Sequence, residues 1–236
     1  MQERQLGILH CTGEDAALFL QGQLTADIHA LTDTQGTLAC YLNLKGRVVA
    51  LMCVIKRPDG FWLILPQDLI EPLLHKLKKF IVFSKAKLID ISDQFTIEGL
   101  VSSAAAVPTY HVGSEGNEVE FYLAPEKGLI LRISPSSNHV SVASEFVKAM
   151  FDAGIPWIGL EQSEKFLPHY INLVNLNAIA FDKGCFVGQE VVARMHYRGH
   201  LNKKLLCIND PVSPDDELVD SLIDDGKMYS LVSRKS

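Results

Sequence analysis

The sequence predicts an α+β protein with antiparallel pairing, and three observations carry that prediction. Apolar runs of strand length recur between turn signals from residue 38 to residue 133. One segment among them, residues 68–81, changes to a three- and four-residue period. Pro58-Asp59-Gly60 separates two of the runs and is a turn that sends the chain back on itself.

Taken in order, Thr12-Gly13-Glu14-Asp15 is a capping-box pattern, a hydroxyl shortly before a carboxylate. A short helix through residues 16–20 follows, with Gly22 as its stop. Thr25 is placed to cap a further turn through Asp27 and Ile28. Residues 38–42 read as a strand, Asn43-Leu44-Lys45-Gly46 as a turn, and 48–56 as a buried strand to which 61–65 returns. Ile70, Leu73, Leu74, Leu77 and Ile81 mark one face of an amphipathic helix, with Pro72 tolerated in its first turns. Residues 87–91, 96–101, 118–123 and 129–133 complete the strands around it. A helix then runs from Ser144 or Glu145 to Phe151, ended by Gly154 and Pro156. A loop carrying Asn172, Asn175 and Asn177 follows, and residues 204–208 and 228–232 read as late strands on either side of an acidic loop.

Composition bounds the function. The 236 residues are 47% hydrophobic and 21% charged, the balance of a packed protein. A net charge of -6 does not steer the molecule to nucleic acid or to an anionic membrane, so only a local basic patch would do so. The longest apolar run, residues 48–55, is too short to cross a bilayer, and no signal-peptide pattern is present. Five cysteines without a C-x-x-C pair point to reduced thiols, a cytoplasmic location, and no self-contained zinc or Fe–S site.

The segment that carries chemistry is Lys183-Gly184-Cys185-Phe186-Val187-Gly188-Gln189-Glu190. A helix beginning near Gly184 would put Cys185 in its first turn, where unpaired N–H groups favour a thiolate, and Lys183 would push the same way. Glu190 and Arg194 are spaced to pair on one helix face. The competing reading of Cys185 is a buried structural cysteine.

The stretch from Lys183 through Arg194 resembles the signature of the YgfZ family, K-G-C-[YF]-x-G-Q-E-x-x-A-R. Gly13-Glu14-Asp15-Ala16, Phe19 through Asp27, Leu77-Lys78-Lys79-Phe80, Val82-Phe83-Ser84-Lys85 and Ala153-Gly154-Ile155-Pro156 match in the family's order. Pro168, Asn172-Leu173 and Asn177 through Phe181 lead into the Cys motif as the family's residues do. The resemblance implies a multi-lobe fold similar to the glycine-cleavage T-protein. The lobes expected are a discontinuous folate-binding lobe (1–45 and 140–200), an inserted antiparallel-sheet α+β lobe (46–139) and a shortened C-terminal β lobe (201–236), long enough for two or three strands.

It further implies tetrahydrofolate or a related folate as cofactor, and a role in maturing or repairing Fe–S proteins, including enzymes that thiolate tRNA. Cys185 would be the functional thiol, with Lys183, Glu190 and Arg194 supporting it. Any cluster contact would need ligands from a partner, one cysteine being too few. Phe146, seven residues before Ala153, matches an aromatic that stacks on the pterin, while Leu6 stands where the family's second aromatic would be. Aminomethyltransferases of the wider group carry aspartates where this chain has Ala50 and Leu51, which disfavours one-carbon transfer.

Two weaker signals remain. Lys76, Lys78, Lys79, Lys85 and Lys87 form a basic cluster that would attract a folate polyglutamate tail or a tRNA backbone, or simply be a solvated helix face. His196 and His200 have a metal-site spacing, against which Gly199 interrupts the helix between them.

Overall fold

The computed structural model describes residues 4–136, 138, 140–199, 202–224 and 227–235. Five strands form the central sheet: β1 (Leu6–Thr12), β2 (Thr37–Leu42), β3 (Val48–Arg57), β4 (Gly60–Pro66) and β5 (Lys87–Asp90), in the order β2-β3-β4-β1-β5 and antiparallel throughout. Both faces of β3 and β4 are buried, which is why these strands read as unbroken apolar runs and not as alternation. One face of the sheet, carrying Leu9, Cys11, Met52, Val54 and Leu63, packs on the helices α1 (Ala16–Gln23) and α2 (Ile70–Ile81). The other carries Ile8, Leu38, Cys40, Cys53 and Ile64 and joins a core shared with the rest of the chain.

That second core is closed by a four-stranded antiparallel sheet. Its strands are β6 (Phe95–Val101), β7 (Val112–Glu115), β8 (Glu118–Ala124) and β9 (Leu129–Pro135), in the order β6-β9-β8-β7. It is also closed by α3 (Ser144–Asp152), which buries Phe146, Val147, Met150 and Phe151. The helix α4 (Gln189–Arg198) follows, and β10 (Lys203–Ile208), β11 (Glu217–Asp224) and β12 (Lys227–Lys235) make a third sheet ordered β10-β12-β11. Among the described residues no helix is long and apolar enough to cross a membrane.

Several local expectations change. The strands β1, β7 and β11 were not legible as such. In β1 the apolar run is broken by Gly7 and His10, and β7 is four residues long with Gly113 in it. The capping box does not form: Thr12 ends β1, and Asp15 uses its carboxylate to accept from Lys85 N at 2.7 Å. Gly22 lies inside α1, which runs on to Gln23. Thr25 caps no turn; its hydroxyl donates to the Ala178 carbonyl at 2.5 Å and accepts from Cys40 N at 2.8 Å, and Asp27 caps the turn instead. A lobe boundary at residues 45 and 46 would cut the hairpin in which Thr37 to Leu42 pair with Val54 to Val48, so the central sheet does not divide there.

Candidate functional site

Two of the motifs singled out in the sequence meet at one place. The Lys183 ammonium donates to the carbonyls of Gln21, Leu24 and Ala26, each at 2.7 Å. These oxygens belong to the end of α1 and the turn after it, where helix carbonyls lack partners and the dipole favours a cation. Burial pushes the Lys183 ammonium down to about 8, opposed by the Asp27 carboxylate. Asp27 itself accepts from the Gln21 side-chain amide at 3.0 Å. Nearby, Ala180 N donates to Thr25 O at 2.9 Å, so the Asn177–Phe181 stretch and the Phe19–Asp27 stretch are held together by hydrogen bonds on both sides.

On the far side of Cys185 the chain is pinned again. Phe186 is buried, and its ring lies 5.4 Å from the Lys183 nitrogen. Gly188 adopts a left-handed conformation (φ 78°) as the residue preceding α4. A Cβ at that position would stand 2.5 Å from the Asn43 carbonyl oxygen and 3.2 Å from the Gly46 Cα. The Gly188 backbone therefore rests directly on the β2–β3 turn.

Cys185 thus sits in an extended loop, four residues before α4 begins at Gln189, and not in the first turn of a helix. The helix start that the sequence placed beside it lies further along the chain, at Gln189. The Lys183 ammonium, two residues earlier, is turned to three carbonyls inside the fold. What the loop does provide is access. Cys185 is the exposed one of the five cysteines, while Cys11, Cys40 and Cys53 are buried and pushed up to about 12 by desolvation. A structural, buried Cys185 is therefore excluded.

Glu190 and Arg194 pair at 2.7 Å on an exposed face of α4. Leu6 and Phe146 do come together, lining a cavity of about 50 Å³ with Leu51, Leu65 and Trp157. Phe146 is 1% exposed and its ring packs against Gly99. A cavity that size accommodates water-sized guests, not a pterin, so Phe146 and Leu6 act here as core residues. Leu51 gives that cavity an apolar wall, and Ala50 faces the opposite core. His200 lies outside the described residues. Among those described, no group of three or more His, Cys, Asp or Glu side chains is placed to hold a metal.

A roomier opening, which the sequence did not reveal, lies between β11 of the third sheet and the segment 157–165. Its volume is about 820 Å³, and its walls include Arg4, Gln67, Trp157, Gln162, Lys165 and Asp220. That falls in the size range of cofactor sites. The Gln67 Oε1 atom is buried without a hydrogen-bond partner, an acceptor left over by the fold. Arg4 is held against Asp220 by paired hydrogen bonds, and its guanidinium lies 5.5 Å from the Trp157 ring. Ala153-Gly154-Ile155-Pro156 leads directly into Trp157 and was the one signal near this wall; Arg4 and Asp220 stand too far apart in sequence to be paired by reading. Cys185 lines neither cavity.

Fold and loop together define a T-protein-like protein with an exposed motif cysteine. The glycine cleavage system aminomethyltransferase T from Bartonella henselae superposes with a TM-score of 0.65, covering 98% of this chain and 76% of that one at 10% identity. That likeness is one of fold. No family model matches the chain. Among curated proteins, the tRNA-modifying protein YgfZ of Escherichia coli O157:H7 is 31% identical over 84% of this chain and 67% of its own length. The YgfZ of Klebsiella pneumoniae is 32% identical over 83% and 66%, and that of Colwellia psychrerythraea 29% over 90% and 73%. The chain belongs to the YgfZ family. It spans roughly two thirds to three quarters of the length of these relatives.

Proposed function

We propose that this protein is a folate-binding accessory factor that supports the maturation or repair of Fe–S proteins, including enzymes that thiolate tRNA, with Cys185 as its working thiol. The relatives are tRNA-modifying proteins by name, which supports the coarser part of this reading. The observation that carries the finer part is the exposed Cys185, presented on a loop anchored on both sides. A single accessible thiol suits transient contact with a partner that brings further ligands.

The opening of about 820 Å³ is the place we assign to the folate. Gln162 offers amide hydrogen-bonding groups for the pterin edge, and Lys165 a cation for the glutamate tail. The residues present fit the group, which would supply one-carbon or redox capacity when bound. Phe146, Leu6, Glu190 and Arg194 are not assigned to it.

The test is a tetrahydrofolate titration followed by tryptophan fluorescence, paired with an in-cell assay of tRNA thiolation. Wild type and Cys185→Ala are expected to bind equally, Lys165→Glu to bind a polyglutamylated folate at least tenfold more weakly, and Cys185→Ala to lose support of thiolation. Thiolation at wild-type levels with Cys185→Ala would defeat the thiol's role, and absence of saturable binding would defeat the folate's.

A further inference from the structure

We propose that the C-terminal end of α2 and the turn that follows it form a contact surface for an unpaired, single-stranded stretch of RNA, with Phe83 as a stacking platform and Lys78, Lys79 and Lys87 as phosphate contacts. Phe83 is 89% exposed, more than any other large apolar side chain among the described residues, and Val82 beside it is 71% exposed. An aromatic ring left in water forgoes the stabilisation that burial would bring, and neither core uses this one. Lys78 and Lys79 stand in the last turn of α2, three to five residues before Val82 and Phe83 in the turn that follows it.

Charge complementarity indicates what covers this surface. The chain carries -6 overall, yet no Asp or Glu lies between Glu71 and Asp90, a stretch holding five lysines. Lys76 is paired with Glu164 and Lys85 with Glu14, each at 2.8 Å. Lys78, Lys79 and Lys87 carry no ion pair among the described residues. Compensation of the helix dipole explains Lys78 and Lys79, and protection of an edge strand explains Lys87. Neither explains a bare phenylalanine among them.

A base has a π-face that stacks on such a ring, and its flanking phosphates take the lysines. A lipid surface is disfavoured because the apolar face of α2 (Ile70, Leu73, Leu77) is buried in the core and unavailable to lie in a membrane plane. The choice of RNA among single strands rests on the reading given under the proposed function; the surface itself does not.

Fluorescence anisotropy with a labelled oligouridine tests the proposal on the whole chain. Binding is expected to weaken with salt with a log–log slope of about -2, from three phosphate contacts at roughly 0.7 each. Phe83→Ala is expected to weaken it about 5- to 140-fold with the slope unchanged, and Phe83→Trp to restore it. Lys78→Glu with Lys79→Glu should flatten the slope. These side chains are exposed, so unaltered thermal melts will show that the variants fold. No oligouridine binding at low salt, equal affinity for duplex RNA, or indifference to Phe83→Ala would each overturn the proposal. So would binding of phosphatidylserine vesicles that Phe83→Ala abolishes while RNA affinity is unmoved. Failure here with thiolation still supported in cells would leave the broader function standing.

Discussion

Lys183 and Cys185 are two residues apart and meet water in opposite ways. The lysine gives its three protons to three carbonyls inside the fold, and the cysteine is left outside. Native protein should therefore react with a disulfide reagent such as DTNB in one fast step of one equivalent, lost in Cys185→Ala. Cys11, Cys40 and Cys53 should react only on unfolding, because burial keeps them protonated as well as inaccessible. Cys207 is half-buried, so the count is made in a Cys207→Ala background, where two or more fast equivalents would show that the core opens around the other three. His169 supports a second prediction. Both its ring nitrogens are buried without partners, and its ring lies 6.2 Å from that of His196, which in turn stacks on Phe181 at 3.8 Å. Burial, and then the His196 charge, push His169 from an ordinary 6.5 down to about 4. The unfolded chain thus binds a proton that the folded one refuses in this window. The contribution is whole above pH 6.5 and is lost as the pH falls towards 4. The melting temperature of wild type should drop more between pH 7 and pH 5 than that of His169→Gln; parallel curves would refute the assignment.

At the scale of elements, the placement of α4 depends on one glycine. Gly184 and Gly188 both stand in the motif, and nothing in the sequence says which of them precedes the helix. The choice is made by tertiary contact, since the left-handed Gly188 backbone rests on the Asn43–Gly46 turn while Gly184 has nothing near its missing Cβ. Gly188→Ala should cost about 1–3 kcal/mol in denaturant unfolding, from a disfavoured φ and a clash with backbone. Gly184→Ala should stay within about 0.5 kcal/mol. Equal effects would mean that the two glycines are interchangeable after all. The same reasoning explains which elements were legible. Helix α2 shows its period because one face is wet, and β3 shows its apolar run because both faces are dry. Strand β1 is equally central, but its Gly7, His10 and Cys11 dilute the apolar run, and its partners β4 and β5 lie far along the chain. The capping box failed for a related reason, because Asp15 had a better partner in Lys85 N than in its own helix.

At the scale of the whole molecule, the large opening is framed by a contact that local sequence cannot announce. Strand β11 shifts register between Leu218 and Asp220, so Val219 and Asp220, consecutive residues, are both buried where a regular strand would alternate. The bulge turns Asp220 inward to Arg4, whose Nη2 also donates to the Ser221 carbonyl at 2.8 Å. Arg4 is fixed from the other side by Val142 N donating to its carbonyl at 2.6 Å and by the faces of Trp157 and Phe151. This pair joins the third sheet to the start of the chain and forms part of the wall of the opening. Removing one member strands a buried charge, so Arg4→Met or Asp220→Leu should each lose about 3–5 kcal/mol. The double variant should recover most of that loss, because an apolar pair of similar volume needs no desolvation to be repaid. Tetrahydrofolate affinity should fall in the single variants together with stability, since the wall they disturb is the one beside Trp157. Single variants that lose less than about 1 kcal/mol, the range of solvated surface pairs, would mean that the third sheet is held by its apolar contacts alone and that the pair merely accompanies them.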